Sequence, residues 1–143
     1  MEYKNRKARR NYQIFKSLEV GIVLTGNEIK SIRTGKLNFK DSYAIIENEE
    51  VWLFNLHISP YDKGSYQDYS PDRKRKLLLK KNEISRLGRK VTEKGFTLIP
   101  IRLYINENGF AKIELGLAKG KKIYEKRDKI RERDIQKEMK KVN

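Results

Sequence analysis

The chain has 143 residues, with 34 Lys and Arg against 19 Asp and Glu, and a formal charge of +15. That length suits one domain with a modest core; with no cysteine and one histidine (His57), a disulfide framework, thiolate chemistry, Cys-ligated zinc and His-rich metal sites are excluded. No apolar run approaches the ~18–20 residues of a membrane span, and the N-terminus lacks the apolar stretch of a signal peptide, so cytoplasmic residence and a polyanionic partner are expected.

Residues 1–10 hold five basic residues and one acid and read as a basic arm. Residues 12–25 are rich in β-formers and predict a long strand with a bend or bulge near Gly21. Thr25 and Glu28 have capping-box spacing, which predicts a short helix over 26–34 with Ile29 and Ile32 on one face and Gly35 at its stop. Residues 43–47 and 51–58 flank the polar turn Asn48-Glu49-Glu50, a hairpin whose second strand places Trp52, Phe54, Leu56 and Ile58 on one face. Residues 59–72, with two prolines, a glycine and three tyrosines, read as a loop.

Residues 76–79 predict a short strand. Asn82 is placed to cap a helix presenting Ile84, Leu87 and Val91 and ending near Gly95. Residues 96–105 and 110–117 predict a hairpin turning at Asn108-Gly109. In it Ile99, Ile101, Leu103 and Ile105 face Ala111, Ile113, Leu115 and Leu117, and Pro100 puts its strand at an edge or breaks it. The whole is mainly β with short helices. Closing this order on one core gives an OB-like antiparallel barrel over 11–118, followed by a basic tail over 119–143.

Charge is concentrated in three places. Residues 1–10 carry a net +4, residues 73–81 a net +6 and residues 119–143 a net +6, which leaves the other 99 residues at −1. In the tail Lys129, Arg133, Lys137 and Lys141 recur every fourth residue, one basic stripe if the segment is helical. A single favourable pair, Glu125 with Lys129, contributes about 0.2–0.5 kcal/mol, too little to hold an isolated helix. The tail is therefore expected to become helical on RNA, with a solvated charged tail or a helix packed on the barrel as the bland readings. In residues 73–81 charge alternates with Leu77, Leu78 and Leu79, which fits phosphate contact and a packed strand equally.

The segment Gly116–Lys122 has three residues between its glycines and a Lys where a P-loop needs Ser or Thr, so nucleotide hydrolysis is rejected; Lys119, Lys121 and Lys122 read as phosphate contacts. Glu47, Glu49 and Glu50 lie in a turn and make no convincing metal set. His57 reads as structural or surface. Glu19 interrupts an apolar strand amid basic segments, where a carboxylate either bonds base or ribose donors or orients a nearby cation; an exposed strand position is the plain alternative.

Taken in order, Ala8-Arg-Arg-Asn-Tyr12, Glu19-Val-Gly-Ile-Val-Leu-Thr-Gly26, Glu28-Ile-Lys-Ser-Ile-Arg33, Lys40-Asp-Ser-Tyr-Ala44, His57-Ile-Ser-Pro-Tyr61, Arg75-Lys-Leu-Leu-Leu79 and Gly116-Leu-Ala-Lys-Gly-Lys-Lys122 resemble the SsrA-binding protein family, small protein B. The resemblance runs from Asn5 into the tail. It implies an OB-fold barrel that binds the transfer-RNA-like domain of transfer-messenger RNA and delivers it to stalled ribosomes. The barrel would stand in for the missing anticodon arm, and the tail would enter the decoding centre and the empty message channel, meeting mainly small-subunit ribosomal RNA.

By motif match the resemblance implies RNA-binding roles for Asn5, Arg10, Glu19, Leu78 and Lys112, and places Lys119, Lys121 and Lys122 at the entry to the tail. Arg9 and Lys76, in the same basic segments, join that set. Lys126, Arg127, Lys129, Arg131, Arg133 and Lys137 form the expected tail contacts. Glu125 stands where the family has Asp, Tyr69-Ser70-Pro71 replaces the usual His-Asp-Pro, and Ile135 stands where some members have tryptophan. No catalytic residue, cofactor, metal or membrane contact is expected, and the RNA-bound form is expected to be a monomer. The alternatives are a structural ribosomal protein or general single-stranded RNA binder, and a nuclease using Asp- and Glu-bound metal.

Overall fold

The computed structural model describes residues 1–61 and 69–121. In chain order the elements are β1 (Glu2–Lys4), α1 (Arg6–Asn11), β2 (Tyr12–Ile22), α2 (Gly26–Arg33), β3 (Leu37–Asn38), β4 (Tyr43–Glu47), β5 (Glu50–Phe54), β6 (His57–Ile58), β7 (Arg75–Leu78), α3 (Lys81–Lys94), β8 (Thr97–Ile105) and β9 (Ala111–Gly120). The large sheet runs β1-β8-β4-β5-β7-β2-β9, and β8 also pairs with β9, so six strands close into an antiparallel barrel with β1 added at β8. This is the mainly β, OB-like architecture expected from the order of elements, with α3 preceding the last two strands. Helices of this kind cover an open end or gap; α3 buries Leu87 and packs Ile84 and Val91 against the core.

The N-terminal segment is more than an arm. Residues 2–4 are a strand of the sheet, paired with β8. Asn5 caps α1 by accepting from the Ala8 N–H at 3.2 Å, and α1 buries Ala8.

The capping box forms as predicted: the Glu28 N–H donates to Thr25 Oγ1 at 3.2 Å and the Thr25 N–H to Glu28 Oε1 at 2.9 Å. Gly95 ends α3 at φ +69, in the left-handed region where a Cβ is strained. Two local expectations change. The helix starts one residue before Asn82, so Lys80 is the cap and Asn82 lies in the first turn. The β8–β9 connection is residues 106–110, one longer than the predicted 106–109, with Gly109 alone in it at positive φ, because the Asn106 carboxamide accepts from the Asn108 and Phe110 N–H groups and closes the turn.

Irregularities in the strands redistribute the predicted faces. The break in β2 falls between Ile14 and Lys16, not near Gly21, which pairs in register with both Lys112 and Leu78. In β8 the register shifts between Pro100 and Arg102. Pro100 thus breaks a central strand, the second of its two anticipated settings. Leu98 and Leu103 then both enter the main core while Ile99 joins a smaller cluster with Ala8 and Ala118. In the 51–58 segment Asn55 adopts φ +65 and ends β5, which flips the alternation. Val51, Leu53, Leu56 and Ile58 are the buried set, and Trp52 and Phe54 face outward.

Candidate nucleic-acid interface

Alternation on a closed barrel puts every second side chain on the outer wall. With Val20, Leu77, Ile113 and Leu115 buried inside, the outward neighbours of β7, β2, β9, β8 and β1 line up across the sheet. One row reads Leu78, Gly21, Lys112, Tyr104 and Glu2, each in register with the next. The row beside it reads Glu19, Glu114, Arg102 and Lys4. Three residues far apart in sequence, Glu19, Leu78 and Lys112, are thereby brought to one face.

Leu78 is 53 % exposed, unusual for a leucine in a sheet. Gly21 explains how it lies: a Cβ there would sit 3.3 Å from Leu78 Cδ1, so the glycine leaves room for the leucine to lean across β2 toward Lys112. Val23 and Phe110, 46 % and 65 % exposed, flank the same end of β2 and β9. The Lys112 ammonium has no ion-pair partner among the described residues. An exposed apolar strip beside an unpaired ammonium suits a sugar-phosphate edge.

Charges in the second row are organised rather than free. Arg102 donates to Glu114 at 2.6 Å, and Ser17 donates to the same carboxylate at 2.9 Å. Burial favours the neutral acid, but these bonds outweigh it and hold the Glu114 carboxyl below its usual range. The Arg102 guanidinium lies over the Tyr104 ring at 4.4 Å. Burial and a hydrogen bond to the Glu19 carboxylate raise the Tyr104 phenol above its ordinary value. Glu19 itself is exposed, its carboxylate facing outward beside Tyr104.

Arg9 and Lys121 line one hollow with Tyr12, Ser17 and Glu114 at the edge of this face, and both are exposed. Arg10 is exposed on α1. Asn5 is not presented to solvent. It is 4 % exposed, its carboxamide donates to the Pro100 carbonyl at 2.8 Å and its backbone N–H to Ile101 at 2.8 Å. Its polar groups are spent joining α1 to the broken strand β8, which sets the position of Arg9 and Arg10. Lys119, an odd number of residues from Lys112, falls on the other side of β9, with its ammonium 4.7 Å from the Phe96 ring centre. Lys122, Lys126, Arg127, Lys129, Arg131, Arg133 and Lys137 lie outside the described residues.

The basic run at residues 73–81 is also reorganised. Glu28, 1 % exposed, receives hydrogen bonds from Arg73 and from Arg75, which is fully buried. Arg75 further donates to the carbonyls of Leu56, Arg73 and Pro71. Burial pushes the Glu28 carboxyl up, and its bonds to Arg73, the Thr25 N–H and Arg75 outweigh that, leaving it below its ordinary value. Arg75 therefore faces no ligand. Lys76 is 3.6 Å from Glu50, and Lys74 sits over the Trp52 ring at 4.6 Å. His57 is engaged locally, with Asp72 at 3.0 Å and Ser59 at 3.3 Å. Among the described residues no cluster of His, Asp and Glu is arranged to hold a metal ion, and no helix is long and apolar enough to cross a membrane.

The family model described as SmpB protein matches residues 2–143. The chain belongs to the SsrA-binding protein family. An SsrA-binding protein of Carboxydothermus hydrogenoformans is 54 % identical over 138 residues, covering 96 % of this chain and 92 % of its own. One from Streptococcus mutans is 50 % identical, covering 97 % and 92 %. A chain in the solved structure described as "tmRNA-SmpB: a journey to the center of the bacterial ribosome" superposes with a TM-score of 0.71 at 52 % identity, over 84 % of each chain. The fold is thus that of the SsrA-binding protein family.

Proposed function

We propose that this chain binds the transfer-RNA-like domain of transfer-messenger RNA and carries it to stalled ribosomes for trans-translation. The observation that carries the reading is the shared row of Leu78, Gly21, Lys112 and Tyr104, flanked by Glu19. It supplies an ammonium for phosphate, an exposed leucine for the ribose or base edge, and a carboxylate for amino or hydroxyl donors, all on a rigid barrel wall. Family membership and the ribosome-bound structural relative support it.

In this reading residues 11–118 are the RNA-binding barrel, residues 1–10 contribute Arg9 and Arg10 at its edge, and residues 119–143 are the ribosome-directed tail. Asn5 acts by positioning α1, and Lys76 and Leu78 sit on the face itself. The protein is a monomeric cytoplasmic binding factor without a catalytic site of its own; peptide transfer belongs to the ribosome and the RNA.

Lys112→Ala should weaken binding of the transfer-RNA-like domain about tenfold and reduce the salt slope by about one. Leu78→Ala should weaken it by about threefold to tenfold, the worth of a modest apolar contact, with the slope unchanged. Arg89→Ala, exposed on α3 and in neither row, is the control. Fluorescence anisotropy of labelled RNA at several salt concentrations measures all three, and equal losses for Arg89 and Lys112 would refute a localised face.

A further inference from the structure

We infer that the outer wall of β4, β5 and β7 is a nucleotide-stacking platform centred on Trp52, which takes an unpaired nucleotide of the bound RNA. The inference rests on the RNA-binding reading and extends it from the basic strand β7 to Trp52 on β5, which neither charge nor motif had singled out. Trp52 is partly exposed, and no hydrogen-bond partner among the described residues meets its indole N–H. It lies in register with Ile45, 37 % exposed, on one side and with Lys76 on the other. The adjoining Tyr43 and Phe54 rings stack on each other, 5.6 Å apart and 14° from parallel, which walls the platform at one end.

Two features select a nucleotide as the occupant. The first is charge: Lys74 and Lys76 border the ring, Lys76 lying 3.6 Å from Glu50, and the Lys74 ammonium hovers 4.6 Å from the ring centre with no carboxylate partner among the described residues. A nucleobase has the flat face that an indole accepts, and its nucleotide carries a phosphate within reach of a lysine stem. Lys74 would leave the ring for that phosphate as the base takes its place, exchanging one cation–π contact for a charge-assisted bond. The second is continuity. Lys76 and Leu78 are successive outward residues of β7, and Leu78 opens the row that ends at Lys112 and Tyr104, so an RNA on that row passes the platform without a gap.

Trp52 is the only tryptophan in the chain, so its emission reports on this site alone. The full chain is titrated with the transcribed transfer-RNA-like domain while Trp52 emission, acrylamide access and anisotropy of the labelled RNA are followed together. The expected result is strong quenching and loss of acrylamide access along the anisotropy isotherm, with Trp52→Ala weakening binding about tenfold or more and Trp52→Phe much less. Binding with Trp52 emission and access unchanged overturns the proposal alone, whatever the variants do. Absence of RNA binding in the anisotropy overturns it together with the reading it rests on. A response to ribosomal proteins freed of RNA, with none to the RNA, would assign the platform to a protein and also overturn it.

Discussion

Glu28→Gln should cost the folded chain about 3–5 kcal/mol, because it leaves the guanidinium of Arg75 buried without a counter-charge. Glu28 and Arg75 are 1 % and 0 % exposed, and between them they tie α2 to β7 and to the carbonyls of Leu56 and Pro71. For a chain of this size the loss corresponds to a drop of roughly 10–15 °C in Tm. Thermal unfolding followed by circular dichroism checks it, and a change under about 1 kcal/mol would show that the cluster relaxes at little cost.

The same carboxylate makes a pH prediction. Its folded pKa lies below the ordinary value of 4.5. As pH falls, the unfolded chain takes up the proton first, so the stability Glu28 contributes is complete above the unfolded pKa and is lost as pH drops through the folded one. Wild-type stability should therefore fall more steeply than that of Glu28→Gln below about pH 4.5, and parallel curves would contradict the assignment.

Removing residues 122–143 should abolish peptide tagging on stalled ribosomes while leaving RNA binding almost intact. The cut spares β9, whose pairing with β2 reaches Gly120, so the barrel keeps its closure. It also spares Lys112, Leu78, Glu19 and the hollow holding Arg9 and Lys121. The deleted segment carries a net charge of +4, and losing its non-specific attraction should weaken binding of the transfer-RNA-like domain by no more than about fivefold. Anisotropy and a tagging assay on the same preparation separate the two steps. Loss of RNA binding on truncation, or tagging at the wild-type level without the tail, would refute the division of labour.

Much of this was legible in the chain itself because it rests on local chemistry. The Thr25–Glu28 box, the Gly95 stop, the 43–54 hairpin and the barrel order follow from side-chain caps, positive-φ glycines and alternation, each written in a few adjacent residues. The irregularities were not. Nothing near Asn55 announces that it takes φ +65 and ends a strand, yet that one residue turns Trp52 outward and Leu56 inward.

Glu19 stood out as a carboxylate interrupting an apolar strand, and Lys112 and the role of Leu78 came forward through resemblance to a known family; their meeting in adjacent rows depends on the register of β7, β2 and β9, a long-range property. The buried Glu28–Arg75 pair, with Arg73 beside it, left no trace either. In sequence Glu28 is a capping residue and the two arginines are part of a basic run, and only the packing of α2 beside β7 buries Glu28 and Arg75 together, with the half-buried Arg73 bonded at their edge. Asn5 shows the same effect: it stands among basic residues and works as a cap and a clamp on Pro100.

The central claim is that the barrel wall recognises one folded RNA and is not merely a cationic surface. It is tested most directly by competition at matched salt between the transfer-RNA-like domain and an unrelated single strand of equal length, with the intact chain. The account predicts a preference of about 100-fold or more that collapses when Lys112 and Leu78 are replaced together. Equal affinity for the two RNAs would contradict it and identify a general single-strand binder instead.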